Sequence, residues 1–302
     1  MSSHLIHIGL PKCASSFLQT RIFPKVRSVD FYANSFTKKL PDYLRFIYKL
    51  STNYDSLNDT VREHCLAENA TILEAVGEKF SEGMSSKTHL LSSEGLVGSV
   101  LNPALCSQQI STFLKNHVPN SRILIVVRRQ EDFSRSIYRQ MFLQKREEIS
   151  RHAYNSIYGL EGSESLINYS ELDWSTIVEN YAQRFGHDRV FVLPFEALAK
   201  DPKQFLVLLQ DWAQDEFHVS ERTMRQGVDQ NKVSIKKIWN LTQSRESRGE
   251  IVQELKKLKK SRRVGKTSIT DELSRQTFFA LIEKNRKLQS LCKMDLEKFG
   301  YF

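Results

Sequence analysis

The opening of the chain limits the possible folds more than any other stretch. His4-Leu5-Ile6-His7-Ile8 is a short apolar run, and it passes directly into a Gly9-Leu10-Pro11-Lys12 turn. Ser15 and Ser16 then open a helical pattern. A strand, a short glycine turn and a helix in immediate succession build layered α/β sheets. The same unit offers an anion a seat. The first N–H groups of a helix lack partners, and the helix dipole places partial positive charge there. Lys12 adds a full charge and the two serines add donors. An ordinary turn with a solvated Lys12 accounts for the same residues, so this segment needs support from elsewhere in the chain.

The turn is not a Walker A loop. That motif carries its Lys after a second Gly and follows it with a Ser/Thr hydroxyl for magnesium. Here Lys12 follows Gly9 by three residues and precedes Ser15 by three. A loop this short suits one phosphate and one further anionic group.

Support comes from Arg122-Ile123-Leu124-Ile125-Val126-Val127-Arg128-Arg129. The run reads as a buried parallel strand that ends in two arginines. A helical pattern with acids in its first turn follows and carries Ser136 eight residues after Arg128. An Arg at the carboxyl end of a central strand lies on the edge where open α/β sheets bind ligands, and its planar fork suits a phosphate. Surface ion pairing would explain the arginines alone. Taken with the first turn, they describe a site for a nucleotide held at two separate phosphates.

These two stretches resemble the sulfotransferases that use 3′-phosphoadenosine 5′-phosphosulfate (PAPS). Ile8 through Ser16 looks like that family's 5′-phosphosulfate loop, and Val126-Val127-Arg128 through Ser136 and Tyr138 looks like its 3′-phosphate motif. The resemblance implies a cofactor loop made of Gly9, Pro11, Lys12, Cys13, Ala14, Ser15 and Ser16. Within it Lys12 would meet the 5′-phosphate and bridging oxygen, and Ser15 and Ser16 the 5′-phosphate. Arg128 and Ser136 would bind the 3′-phosphate. Arg189 through Leu198, followed by Asp201-Pro202, resembles a further family segment, a strand with E-x-L and D-P. Family members often place a basic, Gly-containing loop over the 3′-phosphate, and Arg262-Arg263-Val264-Gly265-Lys266-Thr267 fits that description through Arg263 and Gly265. Arg129-Gln130 replaces the commoner Asp-Pro, a variant that looks more like bacterial carbohydrate sulfotransferases.

Sulfuryl transfer to a hydroxyl needs a base on the same sheet edge as the loop. Thr88-His89-Leu90-Leu91-Ser92-Ser93-Glu94 is an apolar strand that ends in a carboxylate. Glu94 is the candidate base, with a turn carboxylate as the plainer reading. His7 is the runner-up, although its alternation with Ile6 and Ile8 fits a buried structural histidine as well. The implied enzyme uses PAPS, releases PAP and needs no metal. The acceptor is a hydroxyl, with a glycan or glycolipid as the expectation. A P-loop-type kinase and a non-catalytic polyanion-binding protein are the alternatives.

Net charge of +9 suits anionic ligands, and no helix-turn-helix, zinc-finger or RNA-binding aromatic spacing points to nucleic acid. Cys13, Cys65, Cys106 and Cys292 are scattered without C-x-x-C or metal spacing, which suits a reducing compartment. No apolar run approaches the ~20 residues of a membrane span. With the loop starting at residue 8, the expectation is a cytoplasmic enzyme of bacterial or phage origin.

The expected fold is α/β: one domain over 1–302, a central parallel sheet flanked by helices, a P-loop-like turn after the first strand and a helical C-terminal part from about 235. The pattern predicts strands near 4–9, 88–93, 122–128 and 189–194. It predicts helices over 14–23, 68–82, 103–116, 131–146, 173–185 and 202–214. Irregular insertions are expected at about 29–66 and 147–172, the latter holding Tyr154, Tyr158 and Tyr169. Between Arg245 and Lys266, nine Lys/Arg stand against three Glu, a solvated helix face or a basic binding segment.

Overall fold

A computed structural model of the chain describes residues 4–26, 28–33, 88–97, 107–130, 132–133, 136, 172–217, 219, 223–224 and 271–302. Its centre is a five-stranded sheet of β1 (His4–Gly9), β2 (Val29–Ala33), β3 (Thr88–Ser93), β4 (Ser121–Val127) and β5 (Val190–Pro194). The spatial order is β2-β3-β1-β4-β5, and every neighbouring pair is parallel. β1 lies in the middle, with Ile8 opposite Ser93 on one side and Ile125 on the other. All residues of β1 and β5 are buried, so neither face of the sheet meets water there. That is why these strands read as continuous apolar runs rather than alternating ones.

The helices whose bounds fall within the described residues are α1 (Ser15–Phe17), α2 (Ser107–His117), α3 (Trp174–Phe185), α4 (Ala197–Lys200), α5 (Pro202–Ala213) and α6 (Asp271–Leu291). α3 packs on β4 and β5 with α2 and α6 beside it, and α5 packs on the same two strands. Local chemistry sets the helix ends. Asp173 caps α3 by accepting from the Thr176 N–H, and the helix stops at Gly186 with φ 93°. Asp201 caps α5 by accepting from the Gln204 N–H, and Pro202 occupies the first turn, where no N–H is needed. The D-P pair of the sequence is therefore a helix start.

Two expectations are corrected. The helix foreseen over 14–23 is α-helical only to Phe17, continues as a π-turn over Leu18–Ile22 and tightens to a 3-10 turn over Phe23–Lys25. Pro24 has no N–H to offer the Thr20 carbonyl, so α-geometry cannot run through it, and the Phe23 N–H bonds Leu18 instead. The stretch 29–33, foreseen as the start of an irregular insertion, is the edge strand β2. Phe23 anchors this corner, with its ring 5.7 Å from Phe31 and 5.9 Å from Trp212. Full burial of such aromatic side chains contributes ~1.5–3 kcal/mol each. The remainder of 34–66, the helix at 68–82, residues 103–106, all of 137–171 and the basic segment 245–266 lie outside the described residues.

Candidate active site

Parallel strands put all their carboxyl ends on one edge of the sheet. Across β3, β1, β4 and β5, that edge presents Glu94, the turn after Gly9, Arg128, and Phe195-Glu196, in that spatial order. Residues 67 to 119 positions apart in sequence thus stand side by side.

The turn is tight and strained. Lys12 has φ 62° and Ala14 φ 68°, left-handed values that a Cβ disfavours. The Cys13 N–H closes the turn on the Leu10 carbonyl at 3.2 Å. Strain of this kind persists only where surrounding contacts impose it. One contact is plain: the Arg128 guanidinium donates from Nη1 to the Lys12 carbonyl at 2.9 Å. Another is Ser15, buried and hydrogen-bonded back to the Leu10 carbonyl at 3.3 Å. Gly9 makes the packing possible. A Cβ there would lie 2.5 Å from Ser15 Oγ and 3.3 Å from Glu94 Cγ.

Glu94 therefore sits against the floor of the turn. Burial pushes its carboxyl above the usual range, while the Lys12 charge and a hydrogen bond from Ser15 pull it back. Cys13 is fully buried among these groups, and burial holds its thiol well above its ordinary value. Its part in the turn is played by its backbone. Ser16 is exposed, and its carbonyl accepts from the Thr20 hydroxyl.

Arg128 leaves β4 half-buried. Its guanidinium lies over the Phe195 ring, 4.4 Å from the centroid. Nε is buried with no hydrogen-bond partner. A buried donor without a partner is costly, and a bound anion would remove that cost. This is the observation by which the residues present fit a phosphate. Ser136 is half-buried in the helical stretch that follows β4. Arg263 and Gly265 lie outside the described residues.

His7 lies on a different part of β1. Its ring is fully buried, contacts Ser92 Oγ through Nδ1 at 2.7 Å and meets the Phe23 ring edge-on at 5.2 Å. Gln19 donates to the same Ser92 hydroxyl at 3.0 Å. Burial lowers the His7 pKa to about 3, so the ring stays neutral.

Four residues behind the site carry little signal in the sequence: Glu196, Trp174, Asn285 and Tyr301. Glu196 accepts from the Arg129 N–H at 3.1 Å and from the Tyr301 hydroxyl at 3.1 Å. Burial raises its pKa against the pull of backbone N–H bonds, that of Arg129 among them, and of the Arg129 and Arg128 charges. Arg129 pairs with Asp132 and, at 3.8 Å, with Glu196. Gln130 exchanges amide hydrogen bonds with Asn285 at 2.7 and 3.2 Å. Both residues of the Arg129-Gln130 variant are thus used inside the protein. Glu196 stood in a matching segment without a role; the other three are distant in sequence and sit in no motif.

A sulfotransferase from Alicyclobacillus acidocaldarius has a similar structure, with a TM-score of 0.50, 16% identity and 99% of each chain covered. The fold is a sulfotransferase fold. Lower scores relate the chain to the sulfotransferase domain of the curacin biosynthetic pathway (TM-score 0.40, 14% identity, 75% of this chain and 78% of that one). A mouse sulfotransferase complexed with PAP gives 0.39 at 13% identity, over 99% of this chain and 87% of that one. No protein-family model and no curated protein sequence matches. Among the described residues of this sulfotransferase fold, no helix is long and apolar enough to cross a membrane.

Proposed function

We propose that the chain is a PAPS-dependent sulfotransferase acting on a hydroxyl of a glycan or glycolipid. The observation that carries the reading is the meeting of the strained Lys12 turn, Arg128 with its unpartnered Nε, and Glu94 on adjoining strand ends of a sulfotransferase fold. Arg128 would hold the 3′-phosphate together with Ser136, and the turn from Gly9 to Ser16 would hold the 5′ end. PAPS would supply a sulfuryl group on a phosphate leaving group.

The residues then have separate tasks. Lys12 places a positive charge where the leaving oxygen becomes anionic, a contribution that grows towards the transition state. Glu94 accepts the proton of the acceptor hydroxyl. Its burial raises its basicity, and the Lys12 charge beside it opposes that rise. Arg128 braces the Lys12 carbonyl, so the two halves of the nucleotide site are mechanically joined. The net charge of +9 favours an acidic acceptor, and the scattered cysteines favour a cytoplasmic setting.

The test is thermal shift with PAP, with no metal added, beside ATP with magnesium. A ligand at a hundredfold excess over Kd stabilises by ~2.7 kcal/mol. PAP is expected to raise Tm and ATP with magnesium to do so weakly. Stabilisation by ATP with magnesium alone would support phosphoryl transfer. Binding of polyanions that falls steeply with salt, without PAP binding, would support a non-catalytic role.

A further inference from the structure

The peptide group joining Arg128 to Arg129 lies just past the end of β4. The last cross-strand bond runs from the Phe195 N–H to the Val127 carbonyl at 2.7 Å. The next peptide is instead held at both polar atoms by side chains. The Trp174 indole donates to the Arg128 carbonyl at 2.7 Å, and Glu196 Oε1 accepts from the Arg129 N–H at 3.1 Å. A peptide pinned at its oxygen and its nitrogen cannot rotate. That fixes ψ of Arg128, and with it the direction in which the side chain leaves the backbone.

Glu196 is held in turn. Its second oxygen accepts from Tyr301, which is buried. The Tyr301 carbonyl accepts from Asn285 Nδ2 at 2.8 Å, and Asn285 pairs with Gln130, two residues past Arg128. The circuit closes on the same stretch of backbone. Gly300, with φ 79°, lets this segment turn against Arg129: a Cβ there would stand 3.1 Å from Arg129 Nη1. Arg129 spends its charge on Asp132 and Glu196 within this cluster, and Arg128 is left facing the turn.

We propose that Glu196 and Tyr301 are positioning residues for the nucleotide's 3′-phosphate, holding the Arg128–Arg129 peptide so that the Arg128 fork is aimed before the ligand arrives. The inference rests on the reading of Arg128 given above. It adds that the aim of Arg128 is set by the segment 292–302, more than a hundred residues away in the chain. Neither residue is assigned contact with the nucleotide.

The experiment compares PAP with adenosine 5′-phosphate, which lacks the 3′-phosphate, by titration calorimetry. The proteins are wild type, Arg128→Ala, Glu196→Ala, Glu196→Gln and Tyr301→Phe. Glu196→Ala is expected to weaken PAP about tenfold and to leave adenosine 5′-phosphate within about twofold. Glu196→Gln should recover most of the loss, since an amide can accept from the Arg129 N–H and donate to Tyr301. Tyr301→Phe should weaken PAP about threefold with the same selectivity, and it decides the matter should Glu196→Ala fail to fold. In turnover, KM for PAPS should rise while kcat at saturation holds. Equal losses for both ligands, or a lower Tm with PAP affinity unchanged, would overturn the proposal. So would a Gln variant as weak as the Ala variant. If Arg128→Ala abolishes the preference for PAP and Glu196→Ala keeps it, the positioning role alone fails. If wild type shows no preference for PAP, the reading of Arg128 fails first and the inference falls with it.

Discussion

Replacing His7 by Asn removes a ring that resists protonation in the folded protein. Folded His7 has its pKa lowered from 6.5 to about 3 by burial. Between those values the unfolded chain binds a proton and the folded chain does not, so stability falls as pH drops from about 6.5 towards 3. At pH 7 the effect is negligible. At pH 5 the unfolded imidazole is almost fully protonated, and the native state loses about 2 kcal/mol from this residue alone. His4, lowered to about 4 by burial and by His89, acts in the same direction with a smaller, solvent-screened share. Asn retains a polar group beside Ser92 but vacates volume against Phe23, at a cost of about 2 kcal/mol at neutral pH. The informative quantity is the slope. Urea midpoints at pH 7, 6 and 5, followed through the buried Trp174 and Trp212, give each protein's loss on acidification. The loss in His7→Asn should be smaller than that of wild type by about 2 kcal/mol between pH 7 and 5. The raised Glu94 and Glu196 act in the opposite sense, favouring the fold at low pH, and they cancel in the comparison. Parallel curves for the two proteins would refute the argument, because they would mean that His7 takes up its proton without unfolding.

Lys12→Met should lower kcat with PAPS more than it raises KM, since the charge acts chiefly on the departing oxygen; an unchanged kcat would take Lys12 out of the transition state. Glu94→Gln should keep PAP affinity and lose ~10²–10⁴ in turnover. In wild type the acid limb of the pH–rate profile should inflect above the ordinary carboxylate value of 4.5, because the Glu94 pKa is raised, and it should vanish in the Gln variant. Gly9→Ala should cost ~1–3 kcal/mol and reduce turnover together, because its Cβ would meet Ser15 at 2.5 Å and press on Glu94; wild-type denaturant midpoint and rate would contradict the geometry. Gly300→Ala should destabilise by about 1 kcal/mol and weaken PAP, read by urea titration and calorimetry, because φ 79° disfavours a Cβ.

Strands β4 and β5 are legible in the sequence because parallel strands buried on both faces favour continuous apolar runs, and β1 and β3 because their shorter apolar stretches end at the glycine turn and at Glu94. Ile123 through Val127 can hardly be read otherwise. β2 is not legible, since Val29-Asp30-Phe31-Tyr32-Ala33 carries an acid and sits at the edge. The juxtaposition of Lys12, Arg128 and Glu94 follows from motif order once the sheet is known to be parallel. Their roles in catalysis do not follow from placement, and the assays above address them. The inward turn of Ser15 was hidden because motif spacing says nothing of rotamer. Glu196, Asn285 and Tyr301 were hidden for a different reason. Their bonds span 67, 155 and 105 residues, and no local pattern encodes a partner so far away.

The order of synthesis gives the central position of β1 a further meaning. Gly9 pairs with Val126. At ~5–20 residues per second, the β1 run waits on the order of ten seconds after its own synthesis for its second neighbour. A sticky segment is thus held open during translation, where chaperones or aggregation compete for it. Tyr301 emerges last of all the groups around Arg128. A nascent chain can assemble the sheet before that residue leaves the ribosome, yet the Arg128–Arg129 peptide would still lack the support that Tyr301 gives Glu196. A ribosome-bound chain that has not yet released Tyr301 would then hold the sheet without the contact of Tyr301 to Glu196.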